Sequence, residues 1–170
     1  MKLYIYLLYM NESQITEKIK NKKINVINSD EIVYPEINAF LHRHPDRLTA
    51  GTSLIDDDTF LGSGVSGSVI KARDLTLDKY VACKIILLID TYIESLIIDE
   101  DERSYGFKKE IVYQQIAKTK NLAPQIHKYF YYKYNDKIYG IIVMDYLADY
   151  LTIDHFKDKL INTQPKKTRE

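Results

Sequence analysis

The sequence predicts an α+β protein: a five-stranded antiparallel sheet with one main helix, preceded by a short helical N-terminal extension. Strand-like segments flank a glycine-rich stretch, and the segment from Phe107 to Lys120 has the apolar spacing of an amphipathic helix. Two further strand-like segments flank Asn135-Asp136, a pair that is typical of a tight turn. The order of three strands, one helix and two strands is typical of a helix packed on an antiparallel sheet.

The composition is that of a globular protein with no charge imbalance. The 170 residues allow one domain with a real core, and 45% of them are hydrophobic. Lys plus Arg and Asp plus Glu each number 24, so no net field favours nucleic acid or an anionic membrane. The single cysteine, Cys83, cannot form an internal disulfide, which is typical of a reducing compartment. We therefore expect a cytoplasmic protein with neither nucleic acid nor a membrane as a partner.

The first ten residues contain a short apolar run from Leu3 to Tyr9. It is far shorter than the roughly 20 residues that span a bilayer. No small-residue cleavage site follows, so a buried strand or an irregular extension is favoured over a signal peptide. The chain is rich in Ile, Lys, Asn and Tyr, a usage typical of AT-rich genomes such as those of large DNA viruses or some protists. A viral protein of this kind would lie in the host cytoplasm.

The N-terminal extension covers residues 1–53 and is predicted to be partly helical. Ser13 to Lys23 is predicted to be a polar helix with Ser13 as its N-cap. Pro35 to His44 is predicted to be a second helix, because proline suits a first turn and Pro45 would end the helix. A linker is expected over residues 46–53.

The main domain is predicted over residues 54–156, and a polar tail over residues 157–170. Val and Ile are frequent in its strand-like segments, and Phe156 to Ile161 is predicted to be a short final helix. The strands predicted on either side of the main helix cover Thr59 to Leu61, Ser68 to Ala72, Tyr80 to Leu88, Ile126 to Tyr132 and Lys137 to Met144.

The glycine-rich stretch is the first candidate functional segment. It matches the pattern G-x-G-x-x-G-x-V and runs Gly62-Ser63-Gly64-Val65-Ser66-Gly67-Ser68-Val69. Glycine lets a backbone fold closely over phosphates, whose oxygens then accept hydrogen bonds from backbone N–H groups. The same spacing occurs in dinucleotide sites, where a helix follows the loop, whereas a strand-like segment follows here. An ordinary Gly/Ser hairpin is the structural alternative.

Lys84 ends the segment Val81-Ala82-Cys83-Lys84 on the next predicted strand. Side chains alternate along a strand, so Ala82 and Lys84 share one face and Cys83 is expected in the core behind them. Taken alone, Lys84 is better interpreted as a lysine at a strand edge that faces water. Following the glycine loop in this order, Lys84 becomes a candidate ligand for a phosphate.

Together, these residues resemble the ATP-binding N-terminal lobe of protein kinases over the segment from Leu54 to Phe156. The resemblance implies that ATP lies under the whole glycine loop and that Lys84 reaches the α- and β-phosphates. It also implies that Ala82 leaves room for the adenine ring and that Leu61 and Val69 cover it. Within this family, a Ser/Thr protein kinase is the expected type of relative, because Ser/Thr kinases are the more frequent type.

The resemblance further implies a glutamate on the following helix that holds the lysine in place. Glu110, inside the predicted helix, is the candidate. Glu94, Glu100 and Glu102 remain alternatives, although they are more typical of solvated positions. Lys84 and Glu110 are 26 positions apart, a longer spacing than is typical of the family, which implies an insertion between them.

The segment from Gly140 to Leu147 resembles the strand that leads into the kinase hinge. Met144 would take the gatekeeper position at the back of the adenine pocket, a role that consists mostly of packing. Asp149 is a candidate for contact with the ribose, and an exposed aspartate is an equal alternative. The residues that would offer backbone groups to adenine are Asp145, Tyr146 and Leu147.

The motifs of the second kinase lobe do not follow the hinge segment. No catalytic-loop aspartate, D-F-G or A-P-E occurs after Leu147. Two similar segments, His42 to Asp46 and Tyr34 to Glu36, precede the glycine loop in reversed order and are interpreted as helix-terminal residues. We therefore expect a chain that is truncated before the catalytic loop and inactive alone, and whether it is an enzyme stays open.

No metal site is predicted, and Mg²⁺ is expected only through the nucleotide. His127 and His155 have no partner ligands at the spacing of a metal site. The alternative to ATP binding is a non-catalytic interaction module, because a lone N-terminal lobe would expose the apolar surface that normally packs on the second lobe. Such a surface would bind a kinase, a separately encoded C-lobe or a second copy. A degenerate gene product without function is the third alternative.

Overall fold

A computed structural model describes residues 12–28, 34–44, 58–64, 66–91 and 97–148. These residues form a six-stranded sheet with three α-helices, which confirms the α+β class. The strands are β1 (Val26–Asn28), β2 (Phe60–Gly64), β3 (Gly67–Asp74), β4 (Lys79–Ile89), β5 (Ile126–Tyr134) and β6 (Lys137–Asp145). The helices are α1 (Glu12–Lys20), α2 (Pro35–Arg43) and α3 (Glu102–Lys118), and a 3-10 turn covers Ile98–Glu100.

The sheet is mixed, so the predicted five-stranded antiparallel sheet is wrong in its strand number and pairing. The strand order is β1-β5-β6-β4-β3-β2, and the pairs among β2 to β6 are antiparallel. The additional strand β1 lies parallel to β5, with Val26 opposite Tyr131. The Tyr131 N–H also donates to the Asn25 carbonyl at 2.8 Å. Because β1 has only three residues, hydrophobic alternation could not reveal it.

Both helices predicted in the N-terminal extension are present, with shifted ends. Helix α1 begins at Glu12, so Ser13 lies in its first turn and is not the predicted N-cap. Helix α2 begins at Pro35, where the missing N–H has no intrahelical acceptor to lose. It ends at Arg43, and the His44 N–H donates to the Phe40 carbonyl.

Each face of the sheet is covered by a helix, so the prediction of one main helix was incomplete. Strand alternation sends Ile70, Cys83 and Ile141 to one face, where they form a core with residues of α2 such as Phe40 and Leu41. The opposite face packs against α3. Its buried cluster contains Leu88, Ile89, Phe107, Ile111, Tyr131, Ile138 and Ile142.

Helix α3 lies close to the sheet because β6 contains a glycine at the contact. A Cβ atom at Gly140 would stand 2.7 Å from the ring of Phe107, so a larger residue there would displace this ring from the sheet. The Asp101 side chain caps the helix by accepting from the N–H groups of Arg103 and Ser104. The helix therefore begins earlier than the predicted start at Phe107. This packing fixes the position of Glu110 over the same sheet face as Lys84.

The hairpin turn between β5 and β6 is the predicted one, and Asn135 adopts a left-handed φ of 51°, which asparagine tolerates well. Several predicted features lie outside the described residues: the run from Leu3 to Tyr9, the linker over 46–53 and the helix from Phe156 to Ile161. In the part of the chain that the structure describes, no helix is both long and apolar enough to cross a membrane.

Candidate functional site

The glycine-rich stretch forms a hairpin between β2 and β3. Gly64 pairs with Gly67 at its tip, and Ser63 pairs with Ser68. The residue after Gly67 continues directly into β3, so a strand leaves the loop and not the helix that dinucleotide sites require. Val65 lies outside the described residues.

Glycine has a different structural role at different positions of this hairpin. Gly67 has a φ of +145°, and a Cβ atom there would stand 2.1 Å from the carbonyl oxygen of Ile85. The fold itself therefore requires glycine at this position. At Gly62 and Gly64 a Cβ atom would meet nothing within 4 Å. Open space beside a bare backbone is what a loop that approaches a phosphate needs.

Lys84 lies on β4 between Val69 of β3 and Ile142 of β6. Its ammonium group forms an ion pair with the Glu110 carboxylate of α3. It also donates to the Ser66 hydroxyl oxygen of the glycine hairpin at 2.9 Å. The Lys84 side chain is 19% exposed, so the charge is held beneath the hairpin and still reaches solvent.

The two alternatives to Glu110 that the structure describes do not take its place. Glu100 is an exposed residue of the 3-10 turn, and Glu102 is an exposed residue at the start of α3. Glu94 lies outside the described residues. Glu110 reaches Lys84 because the close contact of α3 with β6 brings this part of the helix over the sheet face.

The predicted adenine-side residues lie on the same face as Lys84. Ala82 is two residues before Lys84 and pairs with Met144 of β6, so a small side chain and the predicted gatekeeper stand side by side. Val69 is the cross-strand partner of Lys84, and Leu61 is 41% exposed at the hairpin. The Met144 sulfur accepts from the Gln114 amide at 3.3 Å, which ties this residue to α3.

Asp145 has a structural role that the sequence did not reveal. Its N–H donates to the Gln125 carbonyl at 3.0 Å, so that group is already used within the fold. Its carboxylate contacts Nε2 of His127 at 2.7 Å and the Lys79 ammonium at 3.3 Å. Burial alone would raise the pKa of this carboxyl, but the hydrogen bonds from His127, the Gln125 backbone and Lys79 outweigh it and lower the pKa.

The other two predicted hinge residues, Tyr146 and Leu147, directly follow the end of β6. Tyr146 is half-buried, and its ring lies 5.0 Å from the Lys71 ammonium, which also stands 4.1 Å from the Tyr80 ring. Leu147 is exposed. Because Lys71 pairs with Ala82, these rings line the outer end of the face that carries the predicted adenine residues. The candidate for ribose contact, Asp149, lies outside the described residues.

A cleft of about 590 Å³ runs from Lys84 and Glu110 along α3. Its far end is apolar and includes Leu122, which is 54% exposed. Sequence reasoning missed this cleft because it arises where α3 lies beside the loop from Leu122 to Pro124, and no motif describes that packing. The other lining residues are Gly106, Lys109, Tyr113, Gln114, Ala117, Ala123, Pro124 and Met144.

This arrangement is suited to an anionic ligand. A lysine ammonium held by a carboxylate, beneath a hairpin with two open glycine positions, can attract and orient phosphate oxygens. Among the described residues, no group of three or more His, Cys, Asp or Glu side chains could hold a metal ion. No protein-family model matches the chain, and no curated protein matches it either.

Proposed function

We propose that the chain binds ATP in the manner of a protein kinase N-terminal lobe, with the triphosphate between the glycine hairpin and Lys84. The observation that carries the proposal is the Lys84–Glu110 ion pair on the sheet face beneath the hairpin. Lys84 and Glu110 lie 26 positions apart in the sequence. Their contact supports the order of motifs on which the resemblance rests, because the family uses such a carboxylate to hold its phosphate-binding lysine.

Each residue of the site has a separate task in this proposal. Lys84 supplies a positive charge to the α- and β-phosphates, and Glu110 keeps that charge in place. The backbone at Gly62 and Gly64 approaches the phosphates, since no side chain fills the space beside it. Ala82 leaves room for the adenine ring. Magnesium would arrive with the nucleotide phosphates.

The proposal concerns binding and not the transfer reaction of the family. Protein kinases transfer the γ-phosphoryl group to a hydroxyl with a catalytic-loop aspartate and with metal ligands from the second lobe. No residue that the structure describes has either task. The proposed function is therefore that of a kinase-like module that binds a nucleotide, and no phosphoryl acceptor is proposed.

A calorimetric titration with Mg²⁺ and ATP tests this function. The wild-type chain is expected to bind, and Lys84→Met is expected to lose about tenfold or more in affinity, because a hydrogen bond to a charged group is removed. Lys20→Met is the matched control, since it removes the same charge from the exposed face of α1. Absence of wild-type binding, or equal affinities for wild type and Lys84→Met, would refute the proposal.

The cleft along α3 favours a second candidate function, that of a protein interaction module. The apolar end of the cleft is the kind of exposed surface that a partner protein often covers. It is formed by Tyr113, Ala117, Leu122 and Pro124. A kinase or a separately encoded C-lobe would fit this role. An apolar-sensitive dye and size-exclusion chromatography test it with Leu122→Glu as the variant. A wild-type monomer that binds no dye would argue against this function.

A further inference from the structure

The Ser66 hydroxyl occupies one hydrogen-bonding direction of the Lys84 ammonium. The distance from Nζ to Oγ is 2.9 Å, and the ammonium also pairs with Glu110. A lysine ammonium has three N–H donors, so two protein groups already take two of them. Ser66 belongs to the tip of the glycine hairpin, whereas Lys84 belongs to the sheet beneath it. This contact therefore closes the hairpin onto the position where a phosphate oxygen would bind.

We propose that Ser66 is a latch that holds the glycine hairpin closed on Lys84 until a nucleotide phosphate takes its place. This inference rests on the proposed ATP site and assigns a regulation to it. The hydroxyl oxygen and a phosphate oxygen accept the same type of hydrogen bond from the ammonium group. The phosphate carries a negative charge and binds more strongly, so the latch opens when the nucleotide enters.

The backbone beside Ser66 explains why the hydroxyl reaches Lys84. The next residue, Gly67, lies against the carbonyl of Ile85, which is the neighbour of Lys84 on β4. This close approach brings the hairpin tip down onto β4, and the serine hydroxyl then lies over the ammonium group. Ser66 itself is exposed, so the release of its hydroxyl to water has a small cost. The latch is accordingly weak enough to be displaced.

Two measurements on Ser66→Ala test the latch. In the nucleotide-free protein, amide hydrogen exchange across residues 62–69 is expected to be faster than in wild type, because the hairpin loses its tie to the sheet. In the titration with Mg²⁺ and ATP, the affinity is expected to increase about two- to fivefold, since a competing hydrogen bond of modest net strength is removed. Ser66→Thr retains a hydroxyl and is expected to behave as wild type. Thr16→Ala removes a hydroxyl from α1 and is the control.

The outcomes separate the latch from the nucleotide site. Unchanged hairpin exchange in Ser66→Ala overturns the latch, whatever the affinity for ATP. Faster exchange together with unchanged or weaker ATP binding overturns the competition with phosphate. Faster exchange in a chain that binds no ATP in any variant supports the closed hairpin and refutes the proposed function instead.

Discussion

Gly67 and Ile85 are in closer contact than any other residue type at position 67 would allow. The position of a Cβ atom at Gly67 lies 2.1 Å from the Ile85 carbonyl oxygen, well inside van der Waals contact. The same residue has a φ of +145°, which L side chains rarely adopt. The glycine hairpin is therefore anchored to β4 by its last glycine, while its first two glycines face open space.

The two kinds of glycine are expected to respond differently to substitution. Gly67→Ala should destabilise the protein by about 2 kcal/mol or more, because it adds a clash with backbone to an unfavourable φ. Gly64→Ala should change the free energy of unfolding by less than about 1 kcal/mol, since its Cβ meets nothing. Urea unfolding of both variants measures this, and equal losses of stability would contradict the assignment.

Asp74 is a buried carboxylate on the face of the sheet opposite Lys84. It is 1% exposed and accepts hydrogen bonds from the Tyr34 hydroxyl, the Lys128 ammonium at 3.1 Å and the N–H groups of Thr76 and Leu77. Burial by itself would raise its pKa. The hydrogen bonds, that of Tyr34 first, outweigh burial and hold the pKa well below the ordinary value of 3.8.

The stability of the protein is therefore expected to fall at acidic pH. Because the folded pKa of Asp74 lies below the unfolded value of 3.8, the unfolded chain binds more protons in acid. The contribution of Asp74 is fully present above about pH 5 and is lost as the pH falls towards 2. Urea unfolding at several pH values should show a shallower dependence in Asp74→Asn than in wild type. Parallel curves would show that another group dominates.

Asp99 connects the 3-10 turn to helix α3 through Lys108. The Lys108 ammonium lies 2.8 Å from Oδ1 of Asp99, and the Tyr131 hydroxyl donates to the same oxygen at 3.0 Å. The Lys108 side chain is 7% exposed, whereas Asp99 is 53% exposed. The pair is thus asymmetric: loss of the carboxylate leaves a buried ammonium group without its partner, whereas loss of the ammonium leaves a solvated carboxylate.

Asp99→Ala is accordingly expected to cost more stability than Lys108→Met. We expect about 1–3 kcal/mol for the first variant, discounted for the exposure of Asp99, and less than about 1 kcal/mol for the second. Chemical denaturation with a common buffer compares them directly. Because methionine retains most of the apolar stem, a larger loss in Lys108→Met would mean that the ammonium group stabilises the fold by more than its contact with Asp99, and would refute the asymmetry.

Cys83 is expected to be chemically inert while the chain is folded. It is fully buried, and burial raises the pKa of its thiol to about 12, with the negative charges of Glu36 and Asp74 adding to the effect. At pH 8 almost no thiolate is present, and the thiolate is the nucleophile. A thiol reagent should label the native protein only at the rate of unfolding and the urea-denatured protein at once. Rapid labelling of the native protein would contradict the burial of this strand.

Local patterns in the sequence predict most of the sheet but not its edge. Long strands such as β4 are rich in Val and Ile, and Asn135-Asp136 is a typical turn pair. Both features can be predicted from the local sequence. Strand β1 has three residues and forms because β5 offers it an open edge, a tertiary cause that no local pattern encodes. The sequence predicts helix α2, but not that this helix packs against one face of the sheet. That packing depends on tertiary contacts such as those of Phe40 with the core.

In the candidate site, too, the motifs could be predicted from the sequence, whereas contacts that depend on the fold could not. Lys84 and Glu110 were predicted because the resemblance gives each motif a place in an ordered set. The Asp145 contacts with His127 and Lys79 were not predicted, although Asp145 and His127 lie near each other on two strands of a predicted hairpin. A register drawn for that hairpin could have suggested their contact. The Ser66 hydroxyl contact depends on the bend of the glycine hairpin, which no spacing in the sequence describes.

The binding of ATP phosphates beside Lys84 is tested most directly by an acyl-phosphate derivative of ATP. This reagent transfers its acyl group to a lysine amine that lies beside the phosphates. Digestion and mass spectrometry then identify the labelled residue. We expect that Lys84 is acylated, that excess Mg²⁺ and ATP protect it, and that exposed lysines such as Lys20 are labelled slowly and without protection. Labelling spread over the exposed lysines, with Lys84 unmodified or unprotected by ATP, would contradict the account.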